Sequence, residues 1–183
     1  MVLRAYSFWL FKNRLVMNLL KTTANQIERA KKLYKFNSLN GSITKGKSNI
    51  YGAMGEIVVY DYFTSIGSVI DFTSTYDYDL IISNRKIDVK SKKFTSKFTP
   101  REDWNLNISD FNTTQKCDYY FFIGVADDLE SYCFYGYIEP TNFYSKSVFN
   151  HKGQVDPNGN GIWKFKSDCY NLEISKLNKF SKV

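Results

Sequence analysis

Two aspartates and a lysine lie within residues 78–93 in a pattern that could support metal-assisted hydrolysis. They are Asp79, Asp88 and Lys90. Carboxylate oxygens are the ligands that Mg²⁺ prefers, and a lysine beside a bound cation can orient or deprotonate an attacking water. The three side chains can act together only if the chain folds residue 79 back beside residues 88 and 90, so this chemistry depends on the local fold.

A β-hairpin would provide that fold. Asn84 and Arg85 are suited to a two-residue turn between strands at residues 78–83 and 86–91. The expected pairs are then Ser83 with Lys86, Ile81 with Asp88, and Asp79 with Lys90. This pairing places the two acids and the lysine on one face and leaves an apolar face toward the core, formed by Leu80, Ile82, Ile87 and Val89. A slip by one residue would bury Asp88 in that core.

The alternative interpretation is that these charges face outward on a half-solvated sheet. Asp79 and Lys90 would then form a cross-strand salt bridge worth well under about 1 kcal/mol. A third acid in the preceding segment favours the first interpretation.

Glu56 is that third acid, on a helix predicted from about residue 49 to residue 65 and ended by Gly67. Gly52 and Glu56 share a helical face that becomes apolar toward its C-terminal end. Glu56 is therefore expected to point toward the core, where a bare carboxylate would cost several kcal/mol. It must be paired with a lysine, bound to a metal ion or protonated. Gly52 and Gly55 indicate that the helix backbone lies close to a sheet or a substrate.

The charge of the chain favours an anionic partner. The 183 residues carry a formal net charge of +7, and nucleic acid is the commonest partner of basic proteins; a merely basic soluble protein is the alternative. Two basic groups are candidates for holding phosphates, one on a glycine-containing loop and one interleaved with phenylalanines after the hairpin. They comprise Lys45, Lys47, Lys92, Lys93, Lys97 and Arg101. For the loop pair, a solvated loop is the alternative.

Other residue types exclude several classes of protein. A single histidine, His151, excludes a histidine-rich zinc site and a pair of catalytic histidines. The three cysteines form no C-x-x-C pair and are odd in number, which favours a reducing compartment such as the cytoplasm. The apolar run at residues 5–11 is too short to span a bilayer, so no membrane partner is expected.

The chain is long enough for one domain of ordinary size. Residues 23–183 are predicted to form it, and residues 1–22 are interpreted as an N-terminal extension or a helix. Residues 119–126 and 131–138 are expected to form a second hairpin whose first strand is buried on both faces. Near the end of the chain, residues 162–165 are predicted as a short strand and residues 172–180 as an edge element or closing helix.

With Glu56, Asp79 and the sequence Asp-Val-Lys at 88–90, the chain resembles the PD-(D/E)XK nuclease superfamily over about residues 41–178. Small phage-encoded members look most similar. Tyr78 stands where the family name has proline, and Gln115 with Tyr119 resembles a Q-x-x-x-Y element of some members. The resemblance implies an α/β fold with an α+β mixed sheet, namely a restriction-endonuclease-like core in which helices flank a central mixed β-sheet.

The resemblance also implies the roles of the site residues. Asp79 and Asp88 would bind Mg²⁺, for which Mn²⁺ can substitute, and Glu56 would be a third acid assisting the metal. Lys90 would be the general base or an electrostatic partner near the attacking water. The implied activity is phosphodiester hydrolysis, most often by a DNA endonuclease, with RNA and a homodimer left open as partners. The alternative is a non-catalytic nucleic-acid-binding protein that retains the fold.

Overall fold

The computed structural model describes residues 18–36, 49–73, 75–157 and 162–180, which form three α-helices and nine β-strands. The helices are α1 (Ala24–Phe36), α2 (Asn49–Ser65) and α3 (Pro140–Lys146). The strands are β1 (Leu20–Lys21), β2 (Ile70–Phe72), β3 (Leu80–Ile82), β4 (Arg85–Phe94), β5 (Asn105–Ser109), β6 (Tyr119–Ala126), β7 (Ser131–Ile138), β8 (Val148–Asn150) and β9 (Cys169–Glu173). Short 3₁₀ segments follow β5 at Asp110–Thr114 and β9 at Ile174–Lys176.

Six of the strands form a mixed sheet in the order β1-β7-β6-β4-β3-β2. β4 and β6 run parallel, and the other neighbours run antiparallel. The other three strands form a small antiparallel sheet in the order β5-β9-β8. The expected mixed α/β architecture, with helices against a central mixed sheet, is therefore confirmed.

Both faces of the large sheet are covered, because alternate residues of its central strands enter two different cores. One core joins α1 and α2 to the face that carries Ile87, Val89 and Phe121. The other lies between the opposite face, the small sheet and α3, and includes Tyr120 and Phe122. β6 is consequently buried on both faces, as its continuous apolar sequence predicted. Asp88 belongs to the second face and is only 4% exposed, so it does not face outward as the alternative of a half-solvated sheet required.

The first helix is fixed at its start and then tied to the second. Thr23 and Gln26 form a reciprocal capping box, in which each side chain accepts a hydrogen bond from the backbone N–H of the other. Further along α1, Arg29 forms an ion pair with Asp61 of α2 at 2.6 Å, and the Gln26 amide donates to the same carboxylate at 2.9 Å. These contacts tie α1 to α2, the helix that carries Glu56.

The hairpin between β3 and β4 forms, but with a turn different from the predicted one. Ser83 and Asn84 have φ values of 47° and 67°, and Ile82 pairs with Arg85 across them. Two consecutive residues with positive φ are typical of a type I′ turn, whose twist matches that of the flanking strands. The predicted turn at Asn84 and Arg85 and the predicted register are therefore wrong. The actual pairs are Leu80 with Ile87, Ile81 with Lys86 and Ile82 with Arg85.

The end of the chain also differs from expectation. Residues 162–165 form no strand, and Lys164 makes only an isolated bridge to Val155. Instead, β9 occupies Cys169–Glu173 at the centre of the small sheet, before the 3₁₀ segment. At the other end, the described part of the 1–22 segment contains β1, which pairs with β7. Residues 1–17 lie outside the described residues, as does the loop that carries Lys45 and Lys47. No helix in the described ranges is both long and apolar enough to cross a membrane.

Gly55 is the position at which α2 comes closest to the sheet. A Cβ added there would collide with the Ser91 hydroxyl of β4 and lie 3.4 Å from Val89 Cγ1. At Gly52, by contrast, an added Cβ would have no neighbour within 4 Å. The sequence suggested a close approach at both glycines, and the structure assigns it to Gly55.

We expect Gly52→Ala to stabilise the protein by up to about 1 kcal/mol, because alanine is the better helix former and meets open space. Gly55→Ala should be roughly 1–3 kcal/mol less stable than Gly52→Ala, because the new methyl group overpacks the contact with Ser91. Urea unfolding of the two variants measures this difference. Adding Ser91→Ala to Gly55→Ala should recover part of the loss, and equal stability of the two single variants would contradict the close approach.

Candidate active site

The two aspartates meet where the hairpin ladder ends. Leu80 with Ile87 is the last pair of β3 and β4, and Asp79 lies in a bend just before β3. The Asp79 N–H donates to the Ile87 carbonyl at 2.9 Å, and Asp79 Oδ2 accepts the Val89 N–H at 2.7 Å. Asp79 is thereby held against the backbone of β4 through the two residues that flank Asp88. The negative charge of Asp88 acts on the Asp79 carboxyl, so the two carboxylates are neighbours.

Lys90 pairs with Asp88 and not with Asp79. Its Nζ lies 2.5 Å from Asp88 Oδ2, and the two side chains are 19% and 6% exposed. This contact is an ion pair, and Asp88 Oδ2 has no hydrogen bond of good geometry. The ammonium also donates to Gln115 Oε1 at 2.9 Å and lies 5.6 Å from the centre of the Tyr120 ring. Lys90 is therefore fixed by three partners, and the expected cross-strand pair with Asp79 is wrong.

Glu56 reaches the same region from α2. Burial, with a further contribution from the negative charge of Asp88, raises the pKa of Glu56 from its usual 4.5 to about 7. Its Oε2 is buried and has no hydrogen-bond partner within the described ranges. In the same ranges Glu56 forms no salt bridge with a lysine, which was one of its three expected fates. The remaining two fates are protonation and metal binding.

The carboxyl group of Asp79 is shifted in the same direction as that of Glu56. Burial, followed by repulsion from Asp88 and from Glu56, raises the pKa of Asp79 well above its usual value. The Val89 N–H and Lys90 oppose this shift in pKa without reversing it. Three carboxyl groups thus interact electrostatically at one place, and among the described residues Lys90 supplies the compensating positive charge. Uncompensated buried negative charge is the condition that a bound cation relieves.

The donors present fit Mg²⁺ better than a transition metal, because all of them are carboxylate oxygens. No three His, Cys, Asp or Glu side chains in the described part of the chain form a group that could hold a metal ion as they stand. Mg²⁺ does not require such a cage, since it is commonly bound by one or two carboxylates and keeps several waters. Asp79 and Asp88 match that requirement, and the unpaired Oε2 of Glu56 could accept a hydrogen bond from a coordinated water.

Gln115 also belongs to the candidate site, although the sequence pointed to it only through the resemblance to a Q-x-x-x-Y element. Its Oε1 accepts the Lys90 ammonium, and its Nε2 donates to the Tyr76 carbonyl at 2.7 Å. Gln115 therefore connects the lysine to the loop that precedes Asp79. Tyr119, the other residue of the Q-x-x-x-Y resemblance, stacks edge-on against Tyr137 with ring centres 5.8 Å apart. The glutamine of that element contacts Lys90 of the candidate site.

Gln115 also lines an open pocket of about 490 Å³ together with Cys117, Tyr144 and residues of the turn before α3. Burial, assisted by the negative charge of Asp88, raises the pKa of Cys117 to about 12. A thiol with that pKa stays protonated at neutral pH, so Cys117 is not a nucleophile there. The cysteine contributes to the packing around Asp88.

Those predicted phosphate-binding residues that the structure describes are distributed away from the carboxylates. Lys93 is exposed, with its Nζ 5.6 Å from the centre of the Tyr51 ring on α2, and Lys97 is exposed in the turn after β4. Arg101 is exposed and forms an ion pair with Asp103. The ammonium of Lys92 donates to the Asn105 carbonyl at the small sheet, and burial lowers the pKa of that lysine. At about 3.3 Å per residue, the end of β4 lies about 20 Å from Asp88.

No protein-family model matches this chain, and no curated protein matches it either. The function is therefore inferred from the geometry of the site and from the resemblance of the motif formed by Glu56, Asp79, Asp88 and Lys90.

Proposed function

We propose that this protein is a Mg²⁺-dependent nuclease with a restriction-endonuclease-like core that hydrolyses phosphodiester bonds in DNA. The observation that carries the proposal is that Asp79 is held against β4 beside the buried Asp88, with the Lys90 ammonium 2.5 Å from Asp88. The order of elements supports it. The helix α2, which bears Glu56, precedes the strand β2, then Asp79 just before β3, and then β4, which carries Asp88 and Lys90. Three free cysteines suit a cytoplasmic location.

The roles of the residues follow from their positions. Mg²⁺, when bound, supplies a water of lowered pKa and neutralises charge on the phosphate oxygens. Asp79 and Asp88 would hold the cation, and Glu56 would orient a water through its unpaired Oε2. Lys90, held by Asp88 and Gln115, places its positive charge where negative charge builds up on the phosphoryl oxygens. Exposed Lys93 and Lys97 would bind phosphates further along the strand.

The test is cleavage of supercoiled plasmid and of single-stranded DNA with Mg²⁺ or Mn²⁺, compared with the same reactions in a chelator. We expect Lys90→Ala to reduce cleavage by on the order of 10²–10³-fold, as is typical for loss of one group that stabilises transition-state charge. Lys166→Ala, an exposed lysine in the loop before β9, is the matched control and should cleave like the wild type. Equal activity of wild type and Lys90→Ala would refute the assignment.

A non-catalytic nucleic-acid-binding protein with the same fold is the second candidate. It is favoured by one observation, the lack of a group of three potential metal ligands among the described residues. Titration with Mn²⁺ separates the two candidates, because the nuclease should bind the ion and lose it in Asp88→Asn. The binding protein should hold DNA in a chelator with a steep salt dependence and show no dependence on Asp88.

A further inference from the structure

Two exposed aromatic rings stand beside the candidate site. Phe111, in the 3₁₀ segment after β5, is 73% exposed, and Tyr76, in the loop before Asp79, is 51% exposed. Their ring centres are 5.8 Å apart at 78°. The Tyr76 hydroxyl lies 3.0 Å from the Phe111 carbonyl, to which it donates, and 3.0 Å from Thr114 Oγ1. The pair is therefore held in a fixed arrangement while its outer faces contact solvent.

This aromatic pair is coupled to the catalytic lysine. The Tyr76 carbonyl accepts the Gln115 side-chain amide at 2.7 Å, and the other end of that amide accepts Lys90 at 2.9 Å. Two hydrogen bonds and one amide group thus separate the backbone carbonyl oxygen of Tyr76 from the Lys90 ammonium, a distance of about 8 Å or less. A phosphate held beside Asp88 would place its neighbouring nucleotide within reach of the two rings.

The charges around the rings suit a phosphate chain. Lys116 follows Gln115 and is exposed, and Lys86 is exposed at the start of β4, where its carbonyl accepts the Asp118 N–H. The acids nearby are Asp77, which accepts the Lys116 N–H, Asp118, which accepts the Lys86 N–H, and exposed Asp110. Exposed rings accompanied by lysines are the usual arrangement for binding single strands, in which bases stack on rings and lysines follow the backbone.

We propose that Phe111 and Tyr76 form a stacking platform for an unpaired base next to the scissile phosphate, so that the substrate is single-stranded, frayed or locally unpaired DNA. This inference rests on the proposed nuclease function. In an intact duplex each base is stacked on its neighbours, and only an extruded or unpaired base exposes its face to a protein ring. The fixed position of the pair beside Lys90 selects such a base at the point of cleavage.

The experiment measures binding and cleavage of two fluorescent DNAs, a single strand and a blunt duplex of the same sequence, by the full-length protein. Binding is measured by anisotropy with Ca²⁺ in place of Mg²⁺. Phe111→Ala should weaken single-strand binding on the order of 10-fold to 100-fold and leave duplex binding unchanged. Phe111→Trp should retain the single-strand affinity, because it keeps an aromatic face. Trp163→Ala, which removes a ring that is 43% exposed in the loop before β9, is the control for loss of an exposed ring elsewhere on the surface.

Several outcomes would overturn the platform while leaving the nuclease proposal intact. They are wild-type single-strand affinity in Phe111→Ala, an equal loss on both DNAs, and an equal loss in Trp163→Ala. Cleavage of the two DNAs with Mg²⁺ tests the nuclease proposal separately from the binding measurements. If the wild type cleaves neither DNA with Mg²⁺, that proposal fails, and the platform as the site of cleavage fails with it, whereas a selective loss of single-strand binding would still identify Phe111 as a base-binding residue.

Discussion

Asp88→Asn is expected to abolish Mg²⁺-dependent cleavage, with a loss on the order of 10³-fold or more. The substitution keeps the size of the side chain but removes one of the two neighbouring carboxylate charges, and a metal ion contributes several kcal/mol to such a reaction. It also leaves the Lys90 ammonium, which is only 19% exposed, without its ion-pair partner. Mn²⁺ affinity measured by calorimetry should fall together with the cleavage rate.

Asp71→Asn is the matched control for this variant. Asp71 lies in β2 of the same sheet, where it pairs with Ile81 of β3 and is exposed. This variant should bind metal and cleave DNA like the wild type. Circular dichroism before and after heating tests whether Asp88→Asn still folds. A folded Asp88→Asn protein that retains wild-type cleavage would remove Asp88 from the mechanism.

The second large effect is a loss of stability of the metal-free protein as the pH rises. The pKa of Glu56 is about 7 in the folded protein and about 4.5 as a model value. Below pH 4.5 the group carries its proton in both states. Between pH 4.5 and 7 the unfolded chain gives up the proton while the folded chain keeps it, so the free energy of unfolding falls as the pH rises. Above pH 7 the loss is complete.

The expected size of this loss is roughly 3 kcal/mol for Glu56, at about 1.4 kcal/mol for each unit of pKa. The raised pKa of Asp79 adds a change of the same sign. Glu56→Gln should remove the contribution of Glu56, because the amide carries no ionisable proton. Urea unfolding in a chelator at pH 5 and pH 8 measures the effect as the difference between wild type and Glu56→Gln.

Addition of Mg²⁺ at pH 8 should restore stability to the wild type, since a ligand that binds only the folded state stabilises it. The recovery should be small at pH 5, where Glu56 and Asp79 retain their protons and metal binding must displace them. The explanation would be wrong if the difference between wild type and Glu56→Gln were the same at both pH values. Stabilisation by Mg²⁺ in Asp88→Asn would place the cation elsewhere.

The strongest local patterns in the sequence predicted their elements well. The helix expected at about residues 49–65 is α2, and Gly67, with a φ of 77°, follows its end as a glycine after a helix should. The strands expected at 119–126 and 131–138 are β6 and β7. In each case the information is local, because apolar spacing and turn residues act on neighbouring positions.

The register of the β3–β4 hairpin could not be predicted from apolar spacing. The predicted pairing of Ile81 with Asp88 and the actual pairing of Ile81 with Lys86 differ by two residues. Side chains alternate with a period of two, so both registers put the same residues on the same faces. The hydrophobic pattern therefore could not choose between them. The turn chose, through the positive φ of Ser83 and Asn84.

The position of β9 near the end of the chain could not be predicted from local sequence patterns either. β9 lies at the centre of the small sheet, where Tyr170 pairs with Ile108 of β5 on one side and with Phe149 of β8 on the other. These partners come from distant parts of the chain. Short strands of mixed composition depend on such non-local pairing more than on their own propensity, so the local pattern of residues 162–180 misplaced the strand.

The sequence by itself determined which side chains could perform the chemistry and which faces they occupy, because residue type and the period of two are local properties. Only the tertiary structure decided that Asp79 is held against β4 beside Asp88, that Lys90 pairs with Asp88, and that Gln115 joins Lys90 to Tyr76. It also decided the raised pKa of Glu56, which depends on the burial of that side chain and on the charge of Asp88. Pairing, burial and repulsion act through space, and their partners are set by the folded chain.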